Sequence, residues 1–477
     1  MANTSDEFDL IVIGAGPVGI IAAARAVRGG LTAAVVEERL AGGECEYYAC
    51  VPSKALLWPM ELAAEVERMP GLELRGRIDA AAVLAHRDET VSHRDDGHNV
   101  NLIEKFPATF VRGHGRLAGP LRVEVTTPEG GTRTLRARHA VVIATGSSPA
   151  IPDTPGLADA CPWTNREATS VQSVPRRLVV LGAGPVACEM SQALHSLGAQ
   201  ETTVLARGDR LLSRAEPFAG ELVARSLRDM GIDVRLRQPV TRVERPVPGG
   251  PVTVHTGDGG LVEADEILLG TGRRPAVYDI GLDTIGLRMD GSDGPIEVDA
   301  SMRVTAVADG WLYAAGDVNG RNQLTHMGKY QARVCGDVIA ARAKGAPDDA
   351  PGLRDTADDR GAPQVVFTEP QVSMVGRTED RARADGFAVR TAEYDIGAVE
   401  GAVVRGVGYS GWAKLVVDDE RRVLLGATFV APDVADMLHS ATIAVNAEVP
   451  LDRLWHAVPP FPTVSEVWLS LLEKCGL

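Results

Sequence analysis

The chain has 477 residues, of which 45% are hydrophobic and 24% are charged, and its formal net charge is −15. This length is too great for a single hydrophobic core, so we expect roughly two to four domains. The acidic charge disfavours nucleic acid and anionic membranes as partners, and six cysteines are too few for a disulfide framework.

The first predicted elements lie in the stretch FDLIVIGAGPVGIIAAARAV, which has the pattern of a buried strand, a glycine turn and an Ala-rich helix. Gly14, Gly16 and Gly19 bring free backbone N–H groups to the start of that helix, where a pyrophosphate binds favourably. Glu37 ends the following strand, and an acid at that place hydrogen-bonds a ribose hydroxyl. The stretch therefore predicts a dinucleotide site.

The same apolar run also bears on location. It is short and has no basic residues before it, which is typical of a buried strand and not of a signal peptide. No stretch of the sequence is long and apolar enough to span a bilayer. We therefore expect a cytoplasmic protein without a membrane partner.

A second glycine turn occurs in RRLVVLGAGPVACEMSQAL, with Gly182, Gly184 and Ala187 at the three motif positions. Two copies in strand–turn–helix context are far more specific than one. The next strand ends at Arg207 instead of an acid, and a guanidinium there pairs with a 2′-phosphate, which favours NADPH over NADH. The alternative is a solvated surface arginine. A flavin at the first turn and a nicotinamide at the second indicate a hydride-transfer enzyme.

Cys45 and Cys50 lie close together in the stretch GGECEYYACVPSK. A zinc site needs about four ligands, and no second Cys/His pair lies near at a recognisable spacing. A static disulfide has little role in a reducing cytosol. A redox-active pair fits best, because a helix N-terminus stabilises the reactive thiolate. No resident metal is predicted.

Together these motifs resemble the pyridine nucleotide–disulfide oxidoreductases, a family that includes glutathione reductase, dihydrolipoamide dehydrogenase and mercuric reductase. The cysteine stretch fits the family pattern GGxCx4CxPSK at every fixed position. Further matches follow in order along the chain: VVIATGSSP, ILLGTGRRP, LYAAGDVNG, with its aspartate expected on the flavin ribitol, and VVFTEPQVSMVGRTE, like the opening of the dimerisation domain. The further residues that the resemblance assigns to cofactor binding are Gly43, Thr145, Gly146, Gly272, Gly316 and Asp317.

The resemblance implies an α/β fold with two Rossmann-like dinucleotide-binding domains, for FAD and NAD(P), and a C-terminal α+β dimerisation domain. The expected bounds are 1–150 and 277–350 for the FAD domain, 151–276 for the NAD(P) domain and 360–477 for the dimerisation domain of a homodimer. The stretch YSGWAKLVVDDERRVLLGATFVAP alternates like strands joined by a charged turn, so we expect the last domain to be α+β.

The resemblance also assigns catalytic roles. Cys50 is the thiolate that lies against the flavin, and Cys45 is the interchange thiol that meets the substrate. Lys54 reaches the flavin edge and pairs with Glu189. A desolvated pair of this kind stabilises the anionic reduced flavin.

The sequence departs from the family pattern near its C-terminus. Disulfide-reducing members end with His-Pro-Thr-x-Ser-Glu, in which the histidine serves the partner subunit's interchange thiol as base and acid. Here Phe461 stands at the histidine position, while Glu466, which would orient the histidine, is in register. General acid–base help is worth about 10²–10⁴-fold in rate. Conventional disulfide substrates are therefore disfavoured, unless another group replaces the base; the candidates are His456, Glu466, Tyr47 and Tyr48.

We therefore expect an FAD enzyme that passes electrons from NADPH through Cys45 and Cys50, or directly from the flavin, to a nonstandard small-molecule acceptor: an unusual disulfide, a quinone or a soft metal ion. A dihydrolipoamide dehydrogenase and a non-enzymatic flavin redox sensor are the alternatives.

Mercuric reductases use a vicinal cysteine pair near the C-terminus, where this chain has only Cys475. Tyr47 and Tyr48 either shape the substrate approach or pack against the flavin domain.

Overall fold

The computed structural model describes residues 6–287, 294–347, 350, 352–358 and 360–477. The strands are, in chain order, β1 (Glu7–Ile13), β2 (Ala33–Glu37), β3 (Thr109–Arg112), β4 (His114–Leu117), β5 (Arg122–Thr126), β6 (Thr132–Ile143), β7 (Ser147–Pro149), β8 (Arg177–Leu181), β9 (Glu201–Leu205), β10 (Asp233–Arg235), β11 (Val240–Glu244), β12 (Val252–Thr256), β13 (Leu261–Ala264), β14 (Glu266–Leu269), β15 (Arg273–Pro275), β16 (Leu312–Ala314), β17 (Gln364–Val366), β18 (Gln371–Gly376), β19 (Val389–Asp395), β20 (Trp412–Asp418) and β21 (Val423–Ala431).

The α-helices are α1 (Pro17–Arg28), α2 (Gly43–Tyr47), α3 (Cys50–Arg68), α4 (Ala80–Thr90), α5 (Gly97–Lys105), α6 (Asn165–Ser170), α7 (Pro185–Ser196), α8 (Pro217–Asp229), α9 (Thr325–Ala343), α10 (Glu379–Ala384), α11 (Glu400–Val403), α12 (Leu438–Asn446), α13 (Leu451–Leu454) and α14 (Val467–Lys474). Short 3-10 helices occur at Ser92–Arg94, Leu282–Ile285, Asp317–Asn319, Ile396–Ala398 and Val464–Glu466. No helix in the described ranges is long and apolar enough to cross a membrane.

The described residues divide into two compact units, and each unit is assembled from three separate stretches of the chain. The first unit comprises the described parts of Met1–Val51, Asp88–Pro149 and Arg273–Asp358. The second comprises those of Pro52–Arg87, Ala150–Gly272 and Asp359–Leu477.

The first unit is built on one sheet with the order β3-β2-β1-β6-β5-β4, and β16 also pairs with β6. The pairs β3–β2, β2–β1, β1–β6 and β6–β16 are parallel, as in a Rossmann-like sheet. Separate apolar clusters cover its two faces, with Ile11 in one and Val12 in the other. Burial on both faces explains why β1 reads as an unbroken apolar run. On one face, α9 packs closely on α1. A Cβ at Gly336 would lie only 2.7 Å from the Ala22 carbonyl oxygen, so the close approach of the two helices requires glycine at this position.

The second unit contains a parallel sheet, β10-β9-β8-β14, and a three-stranded antiparallel sheet, β11-β12-β13. Its C-terminal part is a five-stranded antiparallel sheet, β17-β18-β21-β20-β19, with α12 and α14 contributing to the adjoining apolar cluster. The predicted α/β fold with an α+β C-terminal part is therefore confirmed.

The strands expected around the charged turn are confirmed, and their residues are more deeply buried than an alternating pattern implies. The two strands predicted around the charged turn are β20 and β21, but β21 does not alternate between buried and exposed positions: all of its residues are buried. Its neighbouring residues Phe429 and Val430 belong to different apolar clusters. Both faces of the sheet are covered here, so the alternation expected of a half-exposed strand is absent.

Candidate active site

The first glycine turn joins β1 to α1 in the first unit. Gly14 has φ +105°, and a Cβ there would lie 2.4 Å from the Ala144 carbonyl oxygen. A Cβ at Gly19 would lie 1.9 Å from the Gly14 carbonyl oxygen. These contacts leave no room for a side chain at either position, so the tight turn predicted from the sequence depends on both glycines.

Glu37 lies at the end of β2, against this turn. Its Oε2 accepts a hydrogen bond from the Ala15 N–H (2.8 Å). The Gly42 N–H donates to the Ala15 carbonyl oxygen (2.7 Å), and a Cβ at Gly43 would lie 2.9 Å from the Gly16 Cα. The start of the cysteine segment is therefore fixed directly on the first glycine turn.

The second glycine turn joins β8 to α7 in the second unit. Gly182 has φ +134°, and a Cβ there would lie 2.3 Å from the Gly270 carbonyl oxygen. Ala187, which replaces the third glycine of the motif, is fully buried. A Cβ at Gly270 would lie 2.7 Å from the Ala187 Cβ. The absence of a side chain at Gly270 therefore leaves space for the methyl group of Ala187. The turn between β8 and α7 stays tight although alanine replaces the third glycine.

Arg207 follows the end of β9 in the loop that adjoins this second turn. The Gly182 N–H donates to the Leu205 carbonyl oxygen (3.0 Å), and the Leu212 N–H donates to the Ala183 carbonyl oxygen (2.8 Å). These two bonds hold both ends of the loop on the turn. Arg207 is exposed, so its guanidinium faces solvent beside the glycine turn.

The two cysteines lie together in the first unit. Cys45 is in α2 and Cys50 is the first residue of α3, and their Sγ atoms are 2.9 Å apart. Both are free thiols. The pKa of Cys45 is raised, first by its hydrogen bond with the Cys50 sulfur and then by burial. Both influences favour the protonated, neutral form of the Cys45 thiol.

Thr325 completes this group, and the sequence did not single it out. Its Oγ1 donates to Cys45 Sγ (3.2 Å) and lies 3.3 Å from Cys50 Sγ. The next residue, His326, is exposed and therefore not a core residue.

The tyrosines between the cysteines have separate environments. Tyr47 is only 2% exposed, and its hydroxyl accepts a hydrogen bond from Asn99 Nδ2 (2.9 Å). Burial raises the pKa of Tyr47. Tyr48 is half-buried, with the Arg94 guanidinium 5.6 Å from its ring centroid. The packing alternative therefore holds for Tyr47, whose hydroxyl is unsuited to act as a base.

Asp317 belongs to a polar network that joins three segments of the first unit. Its carboxylate accepts a hydrogen bond from the Ser147 hydroxyl. Arg273 Nε donates to Ser147 Oγ (2.6 Å), and Arg273 Nη2 lies 3.8 Å from Glu44 Oε2. The network connects the aspartate expected on the ribitol to the helix that carries Cys45. Sequence reasoning missed Ser147 and Arg273, although both lie in segments that matched the family.

The other residues that the family resemblance assigns to cofactor binding are a threonine and three glycines at turns. Thr145 Oγ1 donates to the Ala276 carbonyl oxygen (2.7 Å), and the Ala276 N–H donates to the Gly146 carbonyl oxygen (2.9 Å). Gly146, Gly272 and Gly316 all have positive φ, at +75°, +112° and +81°. Each is therefore a position where the backbone favours glycine.

Lys54 and Glu189 form an ion pair in the second unit. Lys54 Nζ lies 2.7 Å from Glu189 Oε2, and the other carboxylate oxygen accepts from the Phe367 N–H (2.9 Å). The ammonium group also lies 4.7 Å from the Phe367 ring centroid. The Lys54 side chain is 35% exposed and that of Glu189 is 7% exposed. The carboxylate is thus fixed from two sides and sets the position of the lysine.

We expect Glu189→Gln to lower the free energy of unfolding by about 1 to 2 kcal/mol, because a charge-assisted hydrogen bond is lost while partial exposure of Lys54 softens the loss. Urea denaturation measures the change. Glu221→Gln on the exposed surface of α8 is the matched control. Equal midpoints for the two variants would show that the pair contributes nothing to stability.

The C-terminal segment carries the departure from the family pattern. Phe461 is 72% exposed. Glu466 is half-buried, and its Oε2 is buried without a hydrogen-bond partner among the described residues. His456 is exposed. Cys475 is fully buried and its pKa is raised by burial, which fits a packing role better than capture of a substrate.

Two family models match the chain. The model for pyridine nucleotide-disulphide oxidoreductase matches residues 8–332, and the model for the dimerisation domain of the same family matches residues 362–471. The chain belongs to the pyridine nucleotide-disulphide oxidoreductase family. The family resemblance expected from the sequence is confirmed, and the members of the family are enzymes.

This oxidoreductase is similar over nearly its whole length to proteins of different activity. It is 30% identical to a dihydrolipoyl dehydrogenase of Chlamydia muridarum over 97% of this chain and 96% of that protein. It is 29% identical to a mercuric reductase of Staphylococcus aureus over 97% of this chain and 82% of that protein. A Cu(II) complex of the flavoprotein disulfide reductase RclA from Escherichia coli has the same fold, with a TM-score of 0.82 at 23% identity, covering 98% of this chain and 99% of that one.

The family uses FAD and a pyridine nucleotide, and the two glycine turns of this oxidoreductase fit such groups. A Cβ at Gly16 would meet no atom within 4 Å, and at Gly184 the nearest atom is 3.9 Å away. Neither α1 nor α7 has a side-chain cap among the described residues. Open space and uncapped N–H groups at a helix N-terminus are what a pyrophosphate requires. The described residues contain no group of three His, Cys, Asp or Glu side chains that could hold a metal ion.

Proposed function

We propose that the protein is a homodimeric, FAD-dependent reductase that uses NADPH and passes electrons through Cys45 and Cys50 to a nonstandard small-molecule acceptor. The acceptor classes are an unusual disulfide, a quinone and a soft metal ion. One observation carries the proposal: the cysteine pair is preserved with sulfurs 2.9 Å apart, while Phe461 stands where the family's proton carrier is expected.

The domain functions belong to the same proposal. We assign FAD binding to residues 1–150 and 277–350, NAD(P) binding to 151–276, and dimer formation to 360–477. FAD, when bound, supplies two-electron exchange between a nicotinamide and a disulfide. The match of residues 362–471 to a dimerisation domain supports the homodimer. We also assign the enzyme to the cytoplasm, where a dithiol is kept reduced.

Two features support NADPH over NADH. The strand β9 ends without an acidic residue, and exposed Arg207 follows it in a loop held on the second glycine turn. A guanidinium in this position pairs with a 2′-phosphate through charge-assisted hydrogen bonds. NADH offers only a ribose hydroxyl there, which gains less from a cation.

Proton supply decides which acceptors suit the site. When the two thiols of Cys45 and Cys50 are oxidised to a disulfide, the acceptor takes up two electrons. Two protons are released in the same step. A phenyl ring at position 461 takes up no proton, and Tyr47 is buried and already hydrogen-bonded. Acceptors that need no proton delivered to a departing thiolate are therefore favoured over glutathione or lipoamide disulfides.

Relatives support more than one acceptor. The similarity to a mercuric reductase and the fold shared with the RclA Cu(II) complex support testing soft metal ions. The similarity to a dihydrolipoyl dehydrogenase supports the alternative activity. Phe461 opposes that alternative, since interchange with lipoamide depends on the missing histidine.

The test is the Phe461→His variant, assayed with NADPH against a panel of disulfides, quinones and Cu(II). We expect activity with lipoamide or glutathione disulfide to rise about 10- to 100-fold, within the range that general acid–base catalysis supplies. Glu466, which the family resemblance assigns to orienting that histidine, is present in this chain. Phe461→Leu, which adds no titratable group, is the control. High activity of the unaltered enzyme with lipoamide or glutathione disulfide would overturn the proposal.

A further inference from the structure

The structure places a hydroxyl group beside the two sulfurs, within hydrogen-bond distance of each. Thr325 is the first residue of α9, a helix of 19 residues. Its Oγ1 is 3.2 Å from Cys45 Sγ and 3.3 Å from Cys50 Sγ. A single hydroxyl thus touches both reacting atoms, and it donates its one proton to one sulfur at a time.

A positive charge accompanies the hydroxyl. Lys329 lies four residues further along α9, which places it on the same helix face as Thr325. The lysine is half-buried and makes no hydrogen bond or ion pair with any described residue. Its charge is therefore not neutralised by an ion pair with a described carboxylate, and it favours a negative charge on Cys45.

We propose that Thr325 and Lys329 are positioning residues that stabilise a negative charge on Cys45, in place of the imidazolium that Phe461 cannot supply. The Thr325 hydroxyl donates to whichever sulfur carries the charge, and the start of α9 adds the positive end of a helix dipole. This inference rests on the proposed function, because it concerns the thiol that delivers electrons to the acceptor.

The influences on the pKa of Cys45 agree with the positions of Thr325 and Lys329. The neighbouring Cys50 sulfur and burial raise the pKa of Cys45, and without an opposing influence the thiol stays protonated and unreactive. The Thr325 hydrogen bond and the charge of Lys329 both act in the opposite direction. They stabilise the thiolate without moving a proton, which suits a site where Phe461 stands in place of the family's histidine base.

The test measures the chemical reactivity of Cys45 and needs neither NADPH nor an acceptor. The holoenzyme is reduced chemically with dithiothreitol, freed of reductant without oxygen, and treated with iodoacetamide at pH 7.5. Peptide mass spectrometry then gives the alkylation rate of each cysteine. Cys161 is exposed and serves as the internal reference for the reagent.

We expect Thr325→Val, which keeps the shape but removes the hydroxyl, to slow alkylation of Cys45 about 3- to 10-fold, the value of one hydrogen bond. Thr325→Ser restores the rate to within about twofold, because it restores the donor. Lys329→Met slows the reaction about 3- to 10-fold and Lys329→Arg does not, since only the first removes the charge. Lys329 is not a core residue, so its variants report even where a substitution at Thr325 impairs folding.

Unchanged Cys45 alkylation in Thr325→Val or in Lys329→Met overturns the inference for that residue. Failure of Thr325→Ser to restore the rate also overturns it, because a steric role would then explain the loss. The proposed function fails by a different result: an unaltered enzyme that reduces no member of the acceptor panel, whatever the reactivity of Cys45.

Discussion

The Cys45→Ser variant is expected to lose NADPH-dependent reduction of thiophilic acceptors by about 10³-fold or more, because removal of an attacking nucleophile typically has effects of this size. Cys50 would remain, but alone it cannot form the intramolecular disulfide that releases two electrons. Anaerobic reduction of the bound flavin by NADPH should persist, since it does not require Cys45. Steady-state turnover with each acceptor and the flavin absorbance together measure both halves of the reaction.

Cys161→Ser is the matched control, because Cys161 is also a free thiol but is exposed in the second unit. Its variant should retain full activity.

The activity of Cys45→Ser with quinones distinguishes the two proposed routes of electron transfer, from the dithiol or directly from the flavin. If Cys45→Ser still reduces quinones at the original rate, electrons leave directly from the flavin, and the dithiol is not the route to that acceptor.

Reversing the charge at Arg207 should change the nucleotide that the enzyme prefers. We expect Arg207→Glu to lower kcat/KM for NADPH about 10- to 100-fold, which corresponds to about 1.5–3 kcal/mol for a charge-assisted hydrogen bond. A glutamate also repels the 2′-phosphate. NADH has no phosphate at that position, so its kcat/KM should stay constant or rise.

Arg225→Glu makes the same charge change on the exposed surface of α8, in the same unit, and is the control for a general loss of positive charge. Its ratio of kcat/KM values for NADPH and NADH should equal that of the unaltered enzyme. An unchanged ratio in Arg207→Glu would mean that the arginine is a solvated surface residue, which is the alternative reading of its exposure.

The parts of the site that sequence reasoning found are those with local requirements. Gly14 and Gly182 were predicted because a tight turn between a strand and a helix needs glycine within a few residues of fixed neighbours. Their positive φ angles, +105° and +134°, meet that requirement. The cysteine pair was found for the same reason, since both thiols lie within one short stretch of chain.

Other parts of the site depend on residues that are far apart in the chain. Thr325 is 280 residues from Cys45, and Arg273 is 126 residues from Ser147. No periodicity or spacing connects such residues, so only the folded chain reveals their contacts. The pairing of Lys54 with Glu189, 135 residues apart, was expected only from the family resemblance.

The full burial of β21 could not be predicted from the sequence, for a related reason. Alternation along a strand reports burial only when one face of the sheet meets solvent. The helices and loops that cover the second face lie elsewhere in the sequence, so their effect on Phe429 and Val430 has no local signature.

The pairing of β6 with β16 has a consequence for biosynthesis. Val141 in β6 is in register with Leu312 in β16. The first sheet therefore stays incomplete until the ribosome has synthesised the long segment between these two strands. At about 5–20 residues per second, this interval is roughly 10–30 s. Throughout that time β6 presents an apolar strand edge of the kind that attracts other chains. The edge of β6 at Val141, Val142 and Ile143 therefore stays unpaired until β16 emerges.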